Sequence, residues 1–192
     1  MKQAKVLNKQ EFKRLLAVAD TTKWAERNRL AVALSFFAGL RACEIASLQV
    51  RNLFAATGEV HDFLRFERHQ TKGSEANAVP VSRRLAQALA RYAATYPTWI
   101  DTPTNPIMFS AKGGSMSAQT VINLLAGLYR SAGIAGASSH SGRRHFVTEL
   151  AERGINPRVI QALARHKHLN TTQRYIDVND MKLQKAVELI DL

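Results

Sequence analysis

From about Trp24 to Ala38 the chain reads as a helix that loses its polar face by its end. The stretch from Leu30 to Ala38 is apolar except for Ser35. A helix that is apolar all round has to be surrounded by other elements, and this stretch is too short to span a bilayer. The fold must therefore wrap around this segment, which puts it at the centre of the core. Gly39 follows it and supplies the stop.

The flanking signals are mostly helical. Asn8, with Glu11 three residues later, has the form of a capping box and opens a helix with Phe12, Leu15, Leu16 and Ala19 on one face. A short helix is expected from about Ala42 to Leu48. The pattern changes between Val50 and Ser82, where Leu64 and Phe66 alternate with Arg65 and Glu67, and Val79 and Val81 flank Pro80. That is the period of strands. Gly73, Ser74, Glu75, Ala76 and Asn77 between them have turn composition. A small antiparallel sheet is expected, with Pro80 on an edge or at a strand end, and a third strand near Val50 to Leu53.

Ser82 caps a helix to about Thr95, and a connection bearing Pro97, Pro103 and Pro106 follows. Ser117 opens a helix through Val121, Leu124, Leu125 and Leu128. Another runs from about Ser141 to Glu152 and ends before Gly154. Asn156 followed by Pro157 is a helix start. A short helix carries Tyr175, and Met181 to Ile190 forms a final amphipathic one. The expected fold class is mainly α with a small antiparallel β-sheet (α+β), in a single domain spanning residues 1–192.

A chain of 192 residues with 46% hydrophobic content can bury a core without help from a metal or disulfide. Cys43 is the one cysteine, which excludes an internal disulfide and a cysteine-type structural zinc site. Cys43 and Ile45 both read as core residues. The net charge of +12, from 27 Lys+Arg against 15 Asp+Glu, attracts polyanions, nucleic acid before acidic membrane. Lys2 and Lys5 are followed by no apolar run, so the N-terminus is not a signal peptide and a cytoplasmic location is expected.

The residues that carry chemistry form an ordered set: Arg41, Lys72, His140, Arg143, His166 and Tyr175. Cleaving a phosphodiester without a metal takes cationic donors on the nonbridging oxygens, a nucleophile, and an acid for the leaving oxygen. Arginine suits the first role because its fork donates two hydrogen bonds to one phosphate. Arg143, beside Arg144, falls in the first turn of its helix, where the helix dipole opposes a cation by ~0.3–1 kcal/mol and a bound phosphate would reverse the penalty. His140 stands at the mouth of the same helix, placed to exchange a proton with a bound phosphate.

His166 precedes Tyr175 by nine residues, ~13 Å along a straight helix. Asn170, Thr171 and Thr172 supply capping chemistry that lets the chain turn and bring the two together. His166 and His168, with no nearby carboxylate or cysteine, make a poor metal site, and none is expected. Tyr92, Tyr96 and Tyr129 lack histidine or arginine context and read as structural.

Gly39-Leu40-Arg41-Ala42-Cys43-Glu44-Ile45 resembles the G-L-R-x-x-E-I segment of the tyrosine recombinase family, the phage-integrase type of site-specific recombinase. Thr71-Lys72-Gly73 followed by Val79-Pro80-Val81 is similar to the family's β-hairpin lysine. The run from His140 to Phe146 is similar to its H-x-x-R segment, and Leu163 to Tyr175, with His166, Thr171-Thr172 and Tyr175, to L-G-H…T-x-x-Y. These matches keep the family order over about residues 8 to 180. Arg165 departs from the pattern, standing where the family has glycine. If that glycine serves a positive φ, arginine strains the turn by about 1 kcal/mol; alternatively Arg165 adds a phosphate contact. Members also commonly carry an N-terminal DNA-clamping domain, and only about 40 residues precede Arg41. No N-terminal core-binding domain is therefore expected in residues 1–192.

The resemblance implies the fold and the roles. Tyr175 attacks the scissile phosphate, forming a 3′-phosphotyrosyl link and releasing a 5′-hydroxyl. Arg41 and Arg143 hold the nonbridging oxygens, Lys72 is the general acid, His140 assists proton movement at the nucleophile, and His166 hydrogen-bonds the phosphate. Glu44 orients its neighbours. No ATP, metal or other cofactor is implied. The partner is double-stranded DNA, with self-association as a tetramer on it and no membrane; the Met181–Ile190 helix either docks onto a neighbouring protomer or packs on its own domain. The implied origin is bacterial, phage or mobile-element. Two rivals share features of this pattern. A type IB topoisomerase uses the same chemistry but usually has lysine in the place of His140, and a DNA-binding regulator would keep the fold without the cleavage.

Overall fold

The computed structural model describes residues 4–67, 70, 78–175, 183–184 and 187–188. They divide into two compact units, residues 1–146 and residues 147–192. In chain order the first holds α1 (Lys9–Asp20), α2 (Ala25–Phe37), α3 (Ala42–Ser47), β1 (Phe63–Arg65), β2 (Ala78–Pro80), α4 (Arg83–Thr95), α5 (Pro97–Ile100) and α6 (Ala118–Ser131). The helix α7 (Ser141–Glu152) begins in the first unit and ends in the second, which continues with α8 (Pro157–Ala164) and α9 (Leu169–Gln173).

In the first unit α2 is central, packed by α1, α3, α4 and α6. Leu30, Ala31, Val32 and Leu34 are fully buried and Phe36 is 2% exposed. Burial of each Leu, Val or Phe side chain contributes about 1.5–3 kcal/mol, so the apolar run anchors the unit. Arg27 and Asn28, in the first turn of α2, are buried as well, although they are polar. The Arg27 guanidinium lies 5.6 and 5.3 Å from the ring centres of Trp24 and Phe109, donates to the Phe109 carbonyl at 2.6 Å, and bonds Asn28 Oδ1 through Nε and NH2. Ring faces and amide oxygens thus replace the solvation of this cation.

The capping box of α1 is present in both directions. Asn8 Oδ1 accepts the Glu11 N–H at 2.9 Å, and the Glu11 carboxylate accepts the Asn8 N–H at 3.1 Å. The Lys5 ammonium, and then the Asn8 N–H, hold the Glu11 carboxyl below the usual carboxylate range.

The sheet has two antiparallel strands among the described residues, β1 and β2, pairing Leu64 with Val79 and Phe63 with Pro80. Leu64 and Val79 point inward and their neighbours outward, as alternation requires. Pro80 sits at the strand end. The expected third strand is instead a 3₁₀ turn over Val50–Asn52. Asn52 closes that turn by accepting the Gln49 N–H at 2.8 Å, while Val50 and Arg51 donate to the carbonyls of Asn105 and Pro103. Those backbone groups are spent on the proline-bearing connection, which also contains the unforeseen α5, opened by Pro97 in its first turn. Cys43 is exposed, contrary to the core reading. Ala42, Ile45 and Ala46 occupy the inward arc of α3, and the helical repeat turns Cys43 away from it.

In the second unit Asn156 caps α8 by accepting the Arg158 N–H at 2.8 Å, and α8 packs on α9. Tyr175 is not on a helix. It lies in the turn after α9, with its N–H on the Thr172 carbonyl at 3.0 Å. Asn170, Thr171 and Thr172 lie within α9 rather than capping it. Of the proposed Met181–Ile190 helix, residues 183–184 and 187–188 are described. They are helical, with Leu183 54% and Val187 68% exposed. The rest lies outside the described residues. No helix among the described residues is long and apolar enough to cross a membrane.

Candidate active site

Two glycines set the placement of Arg41 and Arg143, in the first unit. Gly39 has φ +60°, the left-handed conformation that ends α2 and turns the chain into α3. Arg41 then occupies the N-cap of α3. Its backbone N–H and its NH1 donate to the two oxygens of the Glu44 carboxylate, at 2.7 and 2.9 Å. Glu44 is 3% exposed while the Arg41 side chain is 34% exposed. The buried carboxylate therefore holds both the backbone N–H and the fork of Arg41.

Arg143 is buried in the first turn of α7, and its NH1 donates to the Gly39 carbonyl at 2.6 Å. The second arginine is thus tied to the backbone two residues before the first. Gly142 makes this approach feasible. A Cβ there would fall inside the Ser35 side chain and 2.7 Å from Phe36 Cδ2, both on α2. Arg144 faces elsewhere, donating to the Ala4 carbonyl at 2.6 Å. His140 is exposed, at the end of a turn in which Ser141 Oγ accepts the Ser138 N–H and Ser138 Oγ accepts the His140 N–H. Lys72 lies outside the described residues.

The second unit brings His166 and Tyr175 together. Arg165 ends α8 at φ 53° and ψ 47°, the one non-glycine residue at positive φ among the described residues. This reverses the chain, and Gln161 holds the reversal by accepting the His166 N–H and donating its side-chain amide to the His166 carbonyl. The imidazole is buried, with Nδ1 2.8 Å from Thr172 Oγ1. It lies parallel to the Tyr175 ring, with centres 6.3 Å apart and an interplanar angle of 15°. The phenol is half-buried.

The left-handed backbone at Arg165 costs about 1 kcal/mol. Its guanidinium returns part of that by donating to the Leu163 carbonyl at 3.0 Å, at a helix C-terminus that favours cations. Arg165→Gly is therefore expected to leave stability within about 0.5 kcal/mol of wild type, whereas the β-branched Arg165→Val loses roughly 2 kcal/mol. Urea unfolding of the two variants measures the difference.

The sequence offers Thr172 as capping chemistry, and its contact with the His166 ring is set by the folded turn. Its signal was the T-x-x-Y spacing. Tyr92 and Tyr129 lie in the core and Tyr96 packs against it. Burial pushes the phenols of Tyr92 and Tyr129 well above the ordinary tyrosine range, and Tyr92 donates to the Ile107 carbonyl at 3.0 Å. Neither is a nucleophile in that state.

The model of the phage integrase family matches residues 5–182. The tyrosine recombinase XerA of Pyrococcus furiosus is 31% identical over 192 residues, covering 98% of this chain and 62% of that protein. XerA of Pyrococcus horikoshii is 28% identical, covering 96% and 60%. The chain thus spans about 60% of the length of these curated relatives. Among solved structures, XerA recombinase superposes with a TM-score of 0.75 at 21% identity, over 100% of this chain and 68% of that one. XerH bound to its difH substrate before cleavage superposes at 0.73 with 19% identity, over 98% and 55%. With the family model matched from residue 5 to residue 182, the mainly helical fold with its two-stranded hairpin is that of these recombinases, and the chain belongs to the phage integrase family.

Proposed function

We propose that this chain is the catalytic part of a site-specific recombinase that cuts and rejoins strands of double-stranded DNA through a 3′-phosphotyrosyl intermediate. The observation that carries this reading is the half-buried Tyr175 phenol held parallel to the buried His166 imidazole. In the attack the Tyr175 oxygen bonds to phosphorus, the bond from phosphorus to the 5′-oxygen breaks, and the leaving oxygen takes a proton. Lys72 is the proposed acid and His140 the group that moves the phenol proton. Arg41 and Arg143 bind the nonbridging oxygens and offset their charge in the transition state, Glu44 orients Arg41, and His166 donates to the phosphate. The bond energy stays in the phosphotyrosine, so neither ATP nor a metal enters a step.

Residues 1–192 are proposed to act as one catalytic domain, in the cytoplasm, assembling with further copies as a tetramer on DNA. The charge of +12 supports the substrate class, since phosphate contacts dominate such affinity and make it fall steeply with salt. The test uses nicked duplexes carrying candidate sites, with EDTA present. A denaturation-resistant protein–DNA adduct is the expected result. Binding to a site without any adduct would overturn the cleavage reading in favour of a DNA-binding regulator.

A further inference from the structure

We infer that Thr172 is a positioning residue that selects the proton-bearing nitrogen of His166; the inference deepens the strand-cleavage reading and rests on it for its catalytic consequence. Thr172 is fully buried, and its hydroxyl has one hydrogen-bond partner among the described residues, His166 Nδ1 at 2.8 Å. A threonine hydroxyl carries one proton and two lone pairs. Were Nδ1 to carry the imidazole proton, it would donate to Oγ1 and leave the hydroxyl proton buried without an acceptor, which is the costly arrangement. With the hydroxyl donating, Nδ1 is the acceptor and the neutral ring bears its proton on Nε2. That is the tautomer able to donate to a phosphate oxygen.

The surroundings hold this pairing in register. The Gln161 backbone and side chain clamp the His166 main chain, and the left-handed Arg165 fixes the exit from α8. The Tyr175 N–H is bonded to the carbonyl of the same Thr172. One residue of α9 therefore fixes both the imidazole and the backbone of the proposed nucleophile. The chemistry requires this, because a histidine in the wrong tautomer would present a lone pair, instead of a donor, to an anion.

The test is ring-nitrogen NMR of the full chain labelled at histidine, above the pH at which its imidazoles are protonated, on wild type, Thr172→Val and Thr172→Ser. Valine keeps the shape without the hydroxyl, and serine keeps the hydroxyl without the methyl. Wild type and Thr172→Ser are expected to show His166 with a protonated Nε2 and an acceptor Nδ1, and Thr172→Val a mixture of tautomers. An Nδ1-protonated ring in wild type, or an unchanged signature in Thr172→Val, overturns the inference. Adduct formation is measured alongside. Thr172→Val is expected to slow it roughly tenfold with DNA affinity maintained, and Thr172→Ser to recover most of the rate. A tautomer that changes without any change in rate overturns the catalytic consequence. If wild type forms no adduct on a DNA that it binds, the strand-cleavage reading fails, while the NMR result still decides the tautomer.

Discussion

Tyr175→Phe is expected to abolish the covalent protein–DNA adduct of the proposed reaction while leaving duplex binding near wild type. The substitution removes one oxygen and keeps the ring, so the parallel stack on His166 survives, and so does the backbone bond from residue 175 to the Thr172 carbonyl. The phosphate loses only its attacking atom. Removing the nucleophile from a covalent catalyst costs on the order of 10⁶ in rate, which places the adduct below detection on nicked substrates. The gel-shift titration and the denaturing gel are run on the same samples. An adduct that persists in Tyr175→Phe would move the nucleophile elsewhere. Tyr92 and Tyr129 are poor substitutes, since burial keeps their phenols protonated.

Gly142→Ala is expected to lower stability by about 2–3 kcal/mol, or roughly 5–10 °C in melting temperature for a chain of this size. The new Cβ would enter the space of the Ser35 side chain and come within 2.7 Å of Phe36 Cδ2. Ser35 is fully buried and Phe36 is 2% exposed, both on the central helix, so neither can move aside without displacing the core. The shift would also pull Arg143 from the Gly39 carbonyl, so the proposed cleavage is expected to fall with stability. Ser35→Ala alone is expected to be nearly neutral, because the Ser35 hydroxyl has no partner among the described residues. In the double variant it recovers part of the loss, and a cycle of urea unfolding curves should give a coupling of about 1 kcal/mol. Strictly additive effects would show that the clash is not where the geometry puts it. Gly39→Ala follows the same logic with a second cause, since its φ is +60° and a Cβ would lie 2.5 Å from Phe146 Cδ1.

These glycines mark the limit of what local sequence signals convey. The spacing of Gly39 before Arg41 and of Gly142 before Arg143 is visible along the chain, but the reason for each glycine is an approach between segments about a hundred residues apart. Arg165 stands between the two cases. Its conflict with the family's glycine was visible, and the positive φ that explains the glycine is a property of the folded turn. The third strand failed because Val50 to Leu53 has strand composition, whereas its hydrogen bonds are made by Asn52 and by the carbonyls of residues 103 and 105. Cys43 failed because apolar character does not say which side of a short helix faces the core.

Local chemistry along the chain determined the longer helices, the capping residues Asn8, Ser82, Ser117 and Asn156, and the Leu64–Val79 pair, because each depends on periodicity or on neighbours a few positions away. Tertiary structure alone decided that Arg143 is tied to the Gly39 carbonyl, that Glu44 spends both oxygens on Arg41, and that Thr172 meets His166 Nδ1. Those contacts join atoms whose positions are set by packing around α2 and by the turn at Arg165, and no local pattern encodes where a side chain ends once the core has closed around it.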